Sequence, residues 1–211
     1  MDNAALDRDP RQELREALVA AATRFIAENG YAALRARDLA AQVGCAVGSI
    51  YNAFPDIDAL ILAVKARTLD RLESELISRL GPFSAGGPEE ALARFLSLTH
   101  EYVDFADRNW RLWSQAFEHA AKPSPALDAY MLRLDAILTN IEQPLAVLLP
   151  SISPAERRLL ARALFGSVHG VVSLGLGGKL GATTLEQLHW QTQSLLAATL
   201  DGLRRGVSGY R

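Results

Sequence analysis

The stretch 35–54, Arg-Ala-Arg-Asp-Leu-Ala-Ala-Gln-Val-Gly-Cys-Ala-Val-Gly-Ser-Ile-Tyr-Asn-Ala-Phe, constrains this chain more than any other. Two short amphipathic segments, 36–43 and 47–54, meet at Gly44. Leu39 and Val43 lie one turn apart on the first, Ile50 and Phe54 on the second. A short helix cannot bury such a stripe alone and is marginal in isolation. Both segments therefore need a third helix. The segment opening at Asp9-Pro10-Arg11-Gln12 supplies it: Asp9 can cap, Pro10 suits the first helical position and Gln12 completes a capping-box spacing. Its stripe is Leu14, Ala17, Leu18, Ala21, Ala22, Phe25 and Ile26, and Asn29-Gly30 stops it. Packing both short segments on this helix leaves the outer face of 47–54 free to enter a major groove.

The rest of the chain reads as helix after helix, with no repeats and no sustained strand-like alternation. Pro55 ends the second short segment and Asp56 caps a long helix over 57–80. Residues 81–88, rich in Gly and Pro, form a loop. Further helices are predicted over 89–107, 109–120, 124–148, 154–180 and 185–205, the last capped by Thr184. The fold class is all-α, with about nine helices. The predicted organisation is a three-helix helix-turn-helix DNA-binding domain at 9–56 and a larger helical ligand-binding and dimerisation domain at 57–206.

Composition narrows the function classes. Apolar residues make up 49% and charged residues 22% of 211, the balance of a globular chain. The net charge of −2 excludes a basic nucleic-acid coat, so any DNA contact is local. A single cysteine, Cys45, excludes an internal disulfide and fits the cytoplasm; in the turn it reads as a small packed residue. The polar, acidic start of the chain does not resemble a signal peptide. Residues 159–176 are apolar, but Arg162, His169 and several glycines favour a buried interface helix over a membrane span. No nucleophile–base–orienter trio, phosphate loop or pair of buried carboxylates is evident, so neither an enzyme nor a cofactor is expected. His100, His119 and His189 lack a ligand-like spacing with one another or with Cys45, and no metal is expected.

On the outer face of 47–54 the residues are small, compact or polar. Ala46, Val47 and Gly48 let the backbone approach DNA closely. Ser49, Tyr51 and Asn52 offer groups to phosphates or base edges, and Arg35 and Arg37 place positive charge where the preceding helix crosses the DNA backbone.

The spaced series Phe25, Gly30-Tyr31, Arg37-Asp38-Leu39-Ala40, Val43-Gly44, Gly48-Ser49-Ile50-Tyr51-Asn52-Ala53-Phe54-Pro55 and Asp58-Ala59-Leu60 resembles the DNA-binding domain of the TetR family, from about Arg11 to Leu60. The resemblance implies a homodimer that binds a palindromic operator in double-stranded DNA and represses a nearby gene until a small effector releases it. Three positions depart from the family's habit: Val47 replaces a basic residue, Ile57 a lysine, and Arg35 a capping Thr or Ser. Residues 1–60 hold six arginines against nine carboxylates. Each phosphate contact contributes a slope of roughly −0.9 to the salt dependence, so few contacts predict a shallow one. The rival reading is a helical small-molecule or protein-binding module without DNA activity.

Further along, Phe165-Gly166-Ser167-Val168-His169-Gly170 resembles the C-terminal domain of a TetR subgroup marked by a Trp…His-Gly motif, with Phe165 at the Trp position. Gly166, Gly170 and Ser173 make a thin helix face. With Leu188, Leu195 and Thr199 of the last helix they are the predicted dimer interface, the alternative being close packing within one subunit. The resemblance also implies a mostly apolar cavity in the middle helices. Among their many large side chains, His100, Phe105, Trp110, Trp113, Phe117 and Met131, together with His169, are the candidate contacts for a small apolar or aromatic effector. Trp110, Trp113 and Phe117 fall at i, i+3 and i+7, a spacing that also describes an aromatic core stripe.

Overall fold

The computed structural model describes residues 9–84, 86–118 and 123–206. All regular structure among them is helical: α1 (Pro10–Asn29), α2 (Ala36–Val43), α3 (Val47–Ala53), α4 (Ile57–Leu80), α5 (Pro88–Arg108), α6 (Trp110–Trp113), α7 (Pro125–Leu148), α8 (Pro154–Leu176) and α9 (Leu185–Gly206). A 3-10 turn, Tyr31–Ala33, between α1 and α2 went unpredicted.

The ends follow local chemistry. The Asp9 side chain accepts from the Arg11 amide at 3.0 Å, and Pro10 opens α1. Gly30 leaves α1 at φ 79° and Gly44 leaves α2 at φ 75°, a conformation glycine adopts without a Cβ penalty. The Asp56 carboxylate accepts from the Ala59 amide at 2.7 Å. A reciprocal pair between Thr184 and Gln187 caps α9.

Two predicted helices are shorter. The one predicted over 109–120 is a single turn, Trp110–Trp113, followed by turns through Phe117. Its predicted end falls outside the described residues, as does His119. The helix predicted to reach Leu180 stops at Leu176, where Gly177 accommodates the end and Gly178 turns at φ 67°.

The described chain divides into two compact units. The first comprises 9–68 with the described part of 111–131; the second comprises 69–110 and 132–206. The division lies inside α4 rather than at its start, and 111–131 joins the helix-turn-helix.

The first unit buries Leu18, Ala21, Ala22 and Ile26 of α1 against Leu39 and Ala40 of α2, Ile50, Ala53 and Phe54 of α3, and Leu60 and Val64 of α4. In the second, α5, α8 and α9 pack on one another. The buried face of α8 is Ala161, Leu164, Val168, Val172 and Gly175. A Cβ added to Gly175 would stand 2.4 Å from Leu188 Cδ2, so the two helices touch there at backbone range.

Candidate DNA interface and effector pocket

Burial sorts the helix-turn-helix residues by role. Ile50, Ala53 and Phe54 are at most 1% exposed and fix α3 to its neighbours. The opposite face carries Ala46, Val47, Gly48, Tyr51 and Asn52, all exposed, with Ser49 half-buried. Tyr51 is 52% exposed, so its ring and hydroxyl are accessible on this face. Nothing lies within 4 Å of a Cβ placed on Gly48, so the surface there is open. Seven residues make a short helix, and packing must hold it. Arg15 supplies one fastening: its guanidinium donates to the Ala53 carbonyl at the end of α3 and lies 4.1 Å from the centre of the Phe54 ring.

The two helix-2 arginines differ. Arg37 is exposed on α2. Arg35 donates to the carbonyls of Ala32 and Leu34 at 2.7 and 2.9 Å, tying down the turn in front of α2. It therefore supports the local fold as well as carrying charge.

Behind this surface, segment 111–118 is bound to the same unit. Arg111 donates to the Glu28 carbonyl, the Tyr31 hydroxyl to the Leu112 carbonyl at 3.3 Å, and the Lys65 ammonium to the Glu118 carbonyl. Lys65 is buried and lies 5.6 Å from the Tyr31 ring centre. Burial lowers its affinity for a proton, against the pull of Glu118 and Asp58. Burial also raises Tyr31 above the usual phenol range, with Tyr130 adding to the shift. It pushes Tyr130, whose hydroxyl donates to the Ala116 carbonyl at 2.9 Å, up to about 12.

The second unit holds a partly open pocket. Phe95, Leu98, Thr99 and Tyr102 of α5 form one wall. Leu164, Phe165 and Val168 of α8 face them, with Leu76, Ile137, Asn140, Ile141 and Leu196 completing the lining. Tyr102 packs edge-on to Phe165 at 5.6 Å and shares a 2.8 Å hydrogen bond with Nδ1 of His169. Thr99 donates to Phe95 O and Asn140 to Ala136 O, so the polar groups are oriented by their own helices. Pro144 inside α7 has no N–H, which leaves the Asn140 carbonyl without its usual helical donor.

The predicted effector contacts fall mostly outside this lining. Of those seven residues, only His169 meets the pocket, through Tyr102. Phe105 is core, His100 is exposed on α5, and Trp110 packs near Gly177. Trp113, Phe117 and Met131 belong to the first unit, where Trp113 is fully buried and meets Phe117 edge-on. The stripe of Trp110, Trp113 and Phe117 assumed a helix to residue 120, and the helix stops at Trp113. Phe95, Leu98, Thr99 and Tyr102, spaced i, i+3, i+4 and i+7, are the α5 residues that line the pocket instead.

The predicted interface residues also divide. Gly166 and Leu195 are exposed, and Gly170, Ser173 and Thr199 half-buried. Leu188 is fully buried in its own chain against Gly175, so it belongs to intrachain packing.

Among curated proteins there is no match to this chain. Solved structures do resemble it. A TetR transcriptional regulator from Rhodococcus sp. RHA1 has a TM-score of 0.66 at 19% identity, over 91% of this chain and 98% of the other. A tetR-family transcriptional regulator from Streptomyces coelicolor has a TM-score of 0.66 at 21% identity, over 92% and 87%. A transcriptional regulator from Saccharomonospora viridis in complex with choline has a TM-score of 0.63 at 20% identity, over 88% and 96%. Residues 18–64 match the family described as bacterial regulatory proteins, tetR family, and residues 95–201 match the tetracyclin repressor-like C-terminal domain. With both its helix-turn-helix and its regulatory region matched in order, the chain belongs to the TetR family of transcriptional regulators.

Proposed function

We propose that this protein is a cytoplasmic, homodimeric repressor that leaves a palindromic operator when a small, neutral, apolar or aromatic effector fills the pocket between α5 and α8. The observation carrying this reading is the division of α3 into a buried anchoring face and an exposed face of Val47, Gly48, Tyr51 and Asn52. Tyr51 and Asn52 bind phosphate or base edges, Ser49 assists, and Arg37 supplies charge at the backbone. The lining of the pocket favours a neutral effector. Phe95, Tyr102 and Phe165 offer ring faces, and no carboxylate or cation stands among the lining residues. A quaternary ammonium such as choline, bound by one structural relative, would find only those rings to hold its charge.

Dimerisation is assigned to the outward faces of α8 and α9. Gly166, Gly170 and Ser173 present a thin surface flanked by exposed Leu159 and Leu174, and α9 adds Leu195 and Thr199. By length and composition α8 is apolar enough to cross a bilayer. It nevertheless carries Arg157, Arg158 and Arg162 and packs on α5 and α9, which supports a soluble role.

A gel shift with the chain's own upstream promoter region, repeated with neutral aromatic compounds, aliphatic compounds and choline, tests the reading. Retention of a palindromic fragment and its release by a neutral compound is the expected result. Phe165→Ala should abolish release while leaving retention intact. Retention that no neutral compound reverses would overturn the effector assignment, and no retention at all would overturn the repressor.

A further inference from the structure

Away from the pocket, α5 and α9 bring together three side chains that lie far apart in the sequence. His100 and Asp104 are one turn apart on α5, and His189 comes from the first turns of α9. Nε2 of His189 lies 2.9 Å from Asp104 Oδ1, and Nε2 of His100 lies 3.7 Å from Asp104 Oδ2. One donor atom from each of the three fits within a 4.8 Å span, the only such group of three among the described residues. The two imidazoles stack, 4.1 Å between centres and 23° between planes.

We propose that His100, Asp104 and His189 bind a divalent transition cation of the zinc class. Ligands about 2.0–2.2 Å from one ion lie roughly 3–4 Å apart, the scale of these separations. Two imidazole nitrogens and one carboxylate oxygen suit Zn²⁺, Ni²⁺, Co²⁺ or Cu²⁺ and are a poor set for Mg²⁺ or Ca²⁺, which take oxygen. Burial limits the alternatives for His189: its Nδ1 is enclosed without a hydrogen-bond partner, so Nε2 is the ring's polar outlet and it faces Asp104. Asp104 and His189 are partly enclosed while the His100 side chain is 48% exposed, which leaves room for water as a further ligand. The competing cation, Arg108, has one amino group 3.9 Å from Asp104 Oδ2, but its other is held at 2.8 Å by Glu75. A bound ion fastens α5 to α9. It sits on α5 beside the Thr99 and Tyr102 positions that line the pocket, on a different face. The spacing gave no sign of this because one donor is 85 residues from its nearest partner in sequence.

Calorimetric titration and thermal melts of the tag-free full-length protein with Zn²⁺, Ni²⁺ and Mg²⁺ test the proposal. Stoichiometric Zn²⁺ or Ni²⁺ uptake is expected, with a rise in Tm that EDTA reverses and Mg²⁺ does not produce. His100→Gln alters an exposed side chain and leaves the fold intact. It should weaken uptake by at least about tenfold, the size reached when even an outer-shell partner is lost. Asp104→Asn should do the same. Absence of stoichiometric uptake in the wild-type protein, or equal uptake by His100→Gln, overturns the site.

Discussion

Arg15 is the residue on which α3 leans. Its planar guanidinium covers Phe54 and donates to Ala53, joining the end of α3 to α1 through a contact no period in the sequence reveals. Arg15→Ala should cost about 1–2 kcal/mol, combining a cation–π contact with a charged hydrogen bond. Urea unfolding checks this, and Arg15→Lys should recover only part of the loss because lysine cannot match the stacked plane. Tyr31 and Tyr130 give the residue scale a pH signature. Both are held above the ordinary phenol value by burial. Below pH 10, folded and unfolded chains both keep these protons and stability is unaffected. Above pH 10 the unfolded chain loses them first, so stability falls as pH rises toward about 12. An ultraviolet phenolate titration should show a late step near 12 that disappears in Tyr130→Phe. The tyrosines themselves were visible in the sequence, but their burial against carbonyls of residues 112 and 116 was not. Those pairings join positions 14 and 81 residues apart.

At the scale of elements, the short helices were legible because their ends are written in local chemistry: Asp9, Gly30, Gly44, Asp56 and Thr184 each stand where a cap was predicted. The errors came where apolar periodicity ran past the true end. Trp110, Trp113 and Phe117 kept helical spacing while the backbone turned after Trp113, and Leu180 followed glycines that stop α8. Gly48 allows stability and recognition to be separated on one element. It lies inside α3 with negative φ and with open space at its Cβ position. Gly48→Ala should therefore stabilise the fold by about 0.5–1 kcal/mol. The added methyl stands on the face assigned to the groove, so DNA affinity should fall. A higher Tm with unchanged DNA affinity would remove Gly48 from the interface.

For the whole molecule, the family was readable from residues 11–60, because a helix-turn-helix depends on local spacing. The pocket was not, since its walls come from α4, α5, α7, α8 and α9, and which side chains face it depends on how those helices pack. In the proposed function, release of DNA requires the effector to favour the DNA-incompetent state by about 1–3 kcal/mol. With six arginines against nine carboxylates in residues 1–60, the proposed function makes affinity depend on dimerisation and on a handful of placed contacts rather than on charge. The decisive measurement is the affinity of wild-type protein, Tyr51→Ala and Asn52→Ala for the retained promoter fragment at one moderate salt concentration, alongside the Tm of each. Each substitution should weaken binding by about 5- to 150-fold, the equivalent of roughly 1–3 kcal/mol, with Tm unchanged because both side chains are exposed. Unchanged affinity in both variants would contradict the assignment of α3 as the DNA-reading element.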